Sequence, residues 1–257
     1  MKKKDQLEAE KPRETTVEFL ASLAGVLVTG LFIITFIFQA FEIPSSSMED
    51  TLLIGDHVFV NRVQFSPRTG WIQPIVKYGD IHHGDVVVFL SMDPRTPDMY
   101  IVKRIIGLPG DRIHLRDGIV YRNGQKLDEP YVRPGSRDIY EPYRDNFPAV
   151  RAEENANVLD DWKLTMDSHI ENGDIVVPPQ SYFGMGDNRD VSLDSRYWGF
   201  ITQEHVIGRP MFIYWSFKTP ESQYAQREFT QRVSAFLHTI IHFFDQTRWN
   251  RTLKGVR

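Results

Sequence analysis

The chain has no cysteine among its 257 residues, which excludes a disulfide framework, a thiolate metal site and a cysteine nucleophile. That absence fits an oxidising or a reducing compartment equally. An excess of basic charge is also missing. Lys+Arg total 30 against 34 Asp+Glu, for a net charge of −4, so composition gives no support to nucleic-acid binding. No His-Glu-x-x-His pattern occurs. His238 and His242 share one face of a predicted helix, but no third metal ligand accompanies them. Membrane-length apolar runs are scarce too, and the chain has one.

That run is Phe19–Phe38, uncharged and broken only by Ser22, Thr29, Thr35 and glycines. About 20 helical residues at about 1.5 Å each cross a hydrocarbon core of about 30 Å. A cleavable leader usually has a shorter apolar stretch, and Phe38-Gln39-Ala40-Phe41 lacks a small-x-small exit. A buried core helix would show a polar face, which this run does not. Lys2, Lys3, Lys4, Lys11 and Arg13 precede the run, and the next basic residue is Arg62. That asymmetry predicts a cytoplasmic N-terminus with the remainder carried across.

Beyond the run the pattern is mainly β. Asp56–Val63 alternates, Gly84–Leu90 reads as a buried strand entered by a turn, and Tyr100–Ile106 as another. Ile119–Leu127 predicts a hairpin around Asn123-Gly124, a dipeptide suited to a type I′ turn. Asp174–Val177, Tyr182–Met185 and Met211–Phe217 supply further short strands. Many short strands between Gly/Pro turns predict a mainly β fold, an antiparallel sheet or barrel-like domain carrying a small inserted subdomain. The predicted division is a cytoplasmic tail over 1–16, an anchor over 17–41 and a domain over 42–220 with its insert at about 112–174. An amphipathic basic helix over 221–257 completes it. In that helix Phe229, Val233, Phe236, Leu237, Ile240, Ile241 and Phe244 form one face, which suits docking on protein or lying in a lipid interface. Pro67–Tyr78, with Trp71, Ile72 and Ile75, reads as an exposed loop with apolar residues.

Two features carry chemistry. Ser45-Ser46-Ser47 follows the apolar run and is flanked by Pro44, Met48, Leu52 and Leu53. Lys103 lies in the strand-like run Tyr100–Ile106, where Ile101, Lys103 and Ile105 share a face. Strand lysines are ordinarily solvated, and periodicity alone leaves this one in water. If that face is buried, desolvation lowers the amine pKa, and a neutral lysine can take a proton from a serine hydroxyl. Gly186–Gly199, dense in turn formers and alternating charges, reads as a loop held by Asp–Arg pairs.

These segments resemble the sequence boxes of bacterial type I signal peptidase, or leader peptidase, a family of membrane-bound serine endopeptidases. The boxes are Ile43-Pro44-Ser45-Ser46-Ser47-Met48 with Thr51-Leu52, then Gly84–Phe89, then Lys103-Arg104-x-x-Gly107-x-Pro109-Gly110-Asp111, then Gly186–Gly199. Four boxes in this order behind an apolar run make the likeness specific. It implies Ser47 as nucleophile, Lys103 as general base, Ser45 as oxyanion donor and Ser192 as a partner orienting Lys103. Asp194 and Arg196 would brace the loop, and Ile43, Met48, Ile101 and Val102 would line pockets for small residues at −1 and −3 of the cleavage site. The implied substrates are exported preproteins at the outer face of the cytoplasmic membrane, with a phospholipid bilayer as partner, no metal or organic cofactor, no nucleic acid, and a monomer as the default state. One departure stands out: the family usually has proline where this chain has Asp50, and an aspartate is expected to hold the turn by side-chain hydrogen bonding. Two other readings compete, a self-cleaving serine–lysine repressor peptidase and an inactive membrane-tethered scaffold. The anchor and the lack of a DNA-binding module oppose the first. A Lys103 pKa near its ordinary value of about 10.4 would favour the second.

Overall fold

The structure, a computed structural model, describes residues 15–65, 79–133, 140–153, 155–220 and 229–256. It opens with helix α1, Thr16–Phe32, capped by Thr15: the Glu18 amide donates to the Thr15 hydroxyl and the Thr15 amide donates to the Glu18 carboxylate. One wider turn, Ile33–Ile37, extends it, so Thr16–Ile37 spans 22 residues at mean hydropathy 2.4 with no side chain buried in the protein. This segment is long and apolar enough to cross a membrane. The predicted anchor reached Phe41, and that boundary is corrected. Phe38–Glu42 instead form strand β1, because their backbone groups pair with a neighbouring strand and not with the preceding helical turn.

Among the described residues eleven further strands follow: β2 Asp56–Asn61, β3 Val86–Leu90, β4 Tyr100–Gly107, β5 Arg112–Arg116, β6 Ile119–Arg122, β7 Gln125–Lys126, β8 Ile170–Glu171, β9 Asp174–Val176, β10 Ser181–Met185, β11 Ile201–Thr202 and β12 Val206–Ser216. They form two antiparallel sheets. The main one is seven-stranded, in the order β1-β2-β12-β3-β4-β10-β11. The second, five-stranded and ordered β7-β6-β5-β9-β8, is built wholly between β4 and β10, where the sequence predicted an insert. The β6–β7 turn has positive φ at both Asn123 (53°) and Gly124 (76°), as a type I′ hairpin requires.

Short helices α2 Pro142–Asp145, α3 Asp160–Thr165 and α4 Ser195–Trp198 pack around the insert. Its core gathers Ile113, Val120, Phe147, Trp162 and Ile175 with Phe183 and Met185 of β10. The main sheet buries two further clusters. One joins Ile43, Met48 and Leu52 to Val58, Val86 and Ile213, and the other joins Phe65 to Val87, Phe89 and Ile105. The sheet curls so that the end of β1 meets the start of β4, with the Phe41 and Tyr100 rings 4.7 Å apart.

The C-terminal region departs from the single predicted helix. Helix α5 covers Phe229–Ile241 and α6 covers Phe243–Gln246, and then the chain leaves the helical path. Thr247 and Gly255 bridge to Phe217 and Phe212, and Val256 packs beside Val58 and Ile213. The reason is polar as well as apolar: Arg251, 8% exposed, reaches the fully buried Asp56, which a continuing helix would carry it past. The Pro67–Tyr78 loop and the start of the predicted C-terminal helix lie outside the described residues.

Candidate active site

Ser46–Met48 form a single tight turn after the extended residue Ser45. Met48, 1% exposed, plugs that turn into the core and fixes the direction of its neighbour Ser47. Lys103 comes from β4, opposite Val87 of β3. It is only 3% exposed, so the reading from periodicity alone is corrected. Its face of the strand is closed over by the serine turn, and Lys103 Nζ lies 2.7 Å from Ser47 Oγ. Desolvation lowers the Lys103 pKa from 10.5 to about 8; Asp194 and Asp187 oppose that fall and Arg196 adds to it. Ser45 Oγ lies 3.5 Å from Ser47 Oγ.

The 186–199 loop closes on this pair from behind. The Asn188 amide donates to Ser47 O (3.0 Å) and its side-chain NH₂ donates to Ser46 O (3.2 Å). Such an approach needs glycine at 186: a Cβ there would stand 2.5 Å from Ser47 O and 2.3 Å from Ser192 Oγ. Ser192 Oγ is buried with no hydrogen-bond partner. The expected Ser192–Lys103 bond is therefore not formed; the hydroxyl rests against Gly186, and the amine is engaged by Ser47. Asp194 and Arg196, both fully buried, make a two-pronged pair at 2.8 and 2.7 Å, and Asp194 also accepts from the Gly186 amide. Burial raises the Asp194 carboxyl, but the Arg196 charge and hydrogen bonds bring it below its ordinary value overall.

Several residues with no role assigned from sequence complete the frame. Arg104, next to Lys103, holds both oxygens of Asp187 (2.8 and 2.7 Å), and Asp187 accepts from the Thr51 hydroxyl at 2.6 Å. The Arg104 guanidinium also sits 4.1 Å above the Tyr131 ring. Glu49 pairs with Arg133 (2.9 Å) and accepts from Asn188 (3.3 Å). Arg251 binds Asp56 and donates to Thr51 O at 3.0 Å. Arg104 and Thr51 stand inside the boxes read from sequence, so a local signal existed. For Arg251 there was none.

Asp50 corrects another expectation. Its carboxylate has no partner among the described residues; the Leu52 amide bonding Met48 O (2.7 Å) and the Glu49 contacts hold the turn. Glu49 at φ −57°, ψ 145° followed by Asp50 at φ 80° is type II turn geometry, with aspartate where glycine is favoured. Asp50→Gly is therefore expected to raise stability by about 1 kcal/mol. Asp50→Pro, whose ring holds φ near −65°, is expected to lower it. Denaturant midpoints of the two variants check both signs.

Ahead of the serine turn lies a groove of about 250 Å³, between the end of β1 and the start of β4. Ile43, Met48, Ile101 and Val102 all line it, together with Ser45 and Ser47. Among the described residues β1 pairs with β2 alone in the main sheet, which leaves its outer edge available to an added strand.

A family profile described as signal peptidase, peptidase S26, matches residues 16–215. Signal peptidase I of Pseudomonas fluorescens is 32% identical over 219 residues, 80% of this chain and 74% of that protein. Signal peptidase I of Bacillus caldolyticus is 34% identical over 185 residues, 71% of this chain and 82% of that one. A crystal structure of a signal peptidase I from Enterococcus faecalis V583 is 31% identical and covers 51% of this chain and 96% of its own, at TM-score 0.37. The profile and the sequence relatives together show that this chain belongs to the signal peptidase family of serine peptidases, peptidase S26, the enzymes that remove signal peptides.

Proposed function

We propose that Ser47 and Lys103 form the dyad with which this peptidase cuts preproteins, after small residues at −1 and −3. The observation that carries the reading is the 2.7 Å contact between Lys103 Nζ and Ser47 Oγ at a site excluded from water. Neutral Lys103 takes the Ser47 proton as Oγ attacks the scissile carbonyl carbon. The resulting oxyanion is met by the Ser47 amide and the Ser45 hydroxyl. The ammonium then returns its proton to the leaving amine, the C–N bond breaks, and an ester to Ser47 remains. Water, deprotonated by the same lysine, hydrolyses that ester and frees the serine.

Specificity follows from the groove. A substrate strand added along β1 sets alternate side chains against Ile43, Met48, Ile101 and Val102, and aliphatic walls in so small a volume admit alanine and exclude bulk. Thr16–Ile37 anchors the enzyme in the cytoplasmic membrane, with the basic N-terminal residues inside and the peptidase domain, as a monomer, on the outer face.

The dyad predicts a pH dependence. The active form is the neutral amine, so kcat/KM for a peptide with an Ala-x-Ala site is expected to rise with pH and be half-maximal near the Lys103 pKa of about 8. An acid limb displaced to an ordinary lysine value, near 10.5, would rule out Lys103 as base.

A further inference from the structure

Helix α5 is turned the wrong way round for a water-soluble domain. Ala235, Thr239, His242 and Gln246, spaced along one side of α5 and α6, are its half-buried positions. His238 meets the Phe217 ring just after β12, and α6 touches the domain through Phe243 against Trp215. The apolar stripe faces outward: Phe244 is 80% exposed, Ile241 74% and Phe236 64%, with Leu237, Ile240 and Trp249 each above half. A contiguous exposed apolar face of this kind marks an interaction site.

Charge selects the occupant. Arg251 is neutralised by Asp56. Arg248 is turned inward, donating to Ile54 O, Ser216 Oγ and Phe217 O, and the remaining charges of 229–257 are Arg232, Lys254 and Arg257 against one acid, Asp245, in a chain whose net charge is −4. Two copies meeting through this segment would bring like charges together. An anionic lipid surface matches both features: apolar side chains enter the headgroup–acyl boundary, Trp249 lies at its level, and basic groups meet the phosphates. The surface is also within reach, since Thr16–Ile37 tethers the domain to a bilayer, a step that rests on the anchor reading above. We propose that the outward face of α5 and α6 is a second, peripheral membrane contact, lying in the interface of an anionic bilayer.

The absence of cysteine makes the test clean, because one introduced thiol carries one label. The full chain is placed in phosphatidylcholine vesicles with or without phosphatidylglycerol, with a fluorophore at Ile241→Cys, at Leu27→Cys in α1, or at Asn172→Cys on the β8–β9 turn. Nitroxide-bearing lipids are expected to quench the probes at 241 and 27 and to spare that at 172, and quenching at 241 should strengthen with phosphatidylglycerol. Adding Ile240→Asp with Phe244→Asp is expected to abolish quenching at 241 alone, while peptide cleavage reports an intact fold. Quenching at 241 no greater than at 172, with 27 quenched, overturns the proposal. So does a probe at 241 shielded from aqueous iodide yet untouched by lipid nitroxides, since protein would then cover the face. Failure at 27 with quenching at 241 would sink the anchor reading and leave this contact standing.

Discussion

Lys103→Met is expected to lower kcat/KM by about 10³-fold or more and, at the same time, to make the protein more stable near neutral pH. Both effects have one origin. A lysine pKa held near 8 against an ordinary 10.5 means that folding penalises the charged amine. The sign follows from proton counting: between pH 8 and 10.5 the unfolded chain binds more protons, so stability rises with pH across that window. Below it both states are protonated, and the penalty is present in full. Removing the charge relieves a penalty on the order of 1–3 kcal/mol at neutral pH, reduced by the lost contact with Ser47. Ser47→Ala should match the loss of activity without the same pH-dependent gain. A Lys103→Met enzyme that retains substantial cleavage, or melts lower at neutral pH, would contradict the assignment.

Breaking the buried pair behind Ser47 and Lys103 is the second large effect. Arg196→Met leaves Asp194 charged at a position with no exposure, and a loss of about 3–5 kcal/mol is expected. Replacing both partners by apolar residues should be less damaging than either change alone, which a double-mutant cycle in denaturant measures. Since the Asp194 pKa is depressed by folding, the stability it confers is present above its unfolded value and is lost as pH falls through the folded one. The pair also acts on Lys103. Asp194 favours the Lys103 ammonium and Arg196 opposes it. Asp194→Asn should therefore move the acid limb of kcat/KM below about 8, and Arg196→Met should move it above. A purely structural role would weaken the fold and leave that limb in place.

Local pattern made much of the main sheet legible. The alternation in Asp56–Asn61 reappears as strict alternation of burial along β2, and Asn123-Gly124 makes its turn. These are short-range signals, written in periodicity and φ preference. The burial of Lys103 was not written that way, since its depth depends on a turn 56 residues earlier folding over it. Strand β1 hid in the apolar run because Phe38, Ala40 and Phe41 suit a membrane helix as well as a strand, and only pairing with β2 decides. The clamp formed by Arg104, Asp187 and Thr51 joins three distant segments, so the family boxes located its members while saying nothing of their geometry.

The Arg251–Asp56 pair has a consequence for how the enzyme comes into being. Its partners stand 195 positions apart, so the carboxylate is made well before the guanidinium. Until residue 251 leaves the ribosome, Asp56 lacks its countercharge and Thr51 O lacks a donor. A nascent chain can therefore hold both Ser47 and Lys103 yet lack the brace behind the serine turn. A nonsense codon anywhere between β12 and Arg251 would freeze the protein in that unfinished state, with an uncompensated carboxylate at its centre. Synthesis order thus sets the earliest moment at which the turn carrying Ser47 can receive this brace.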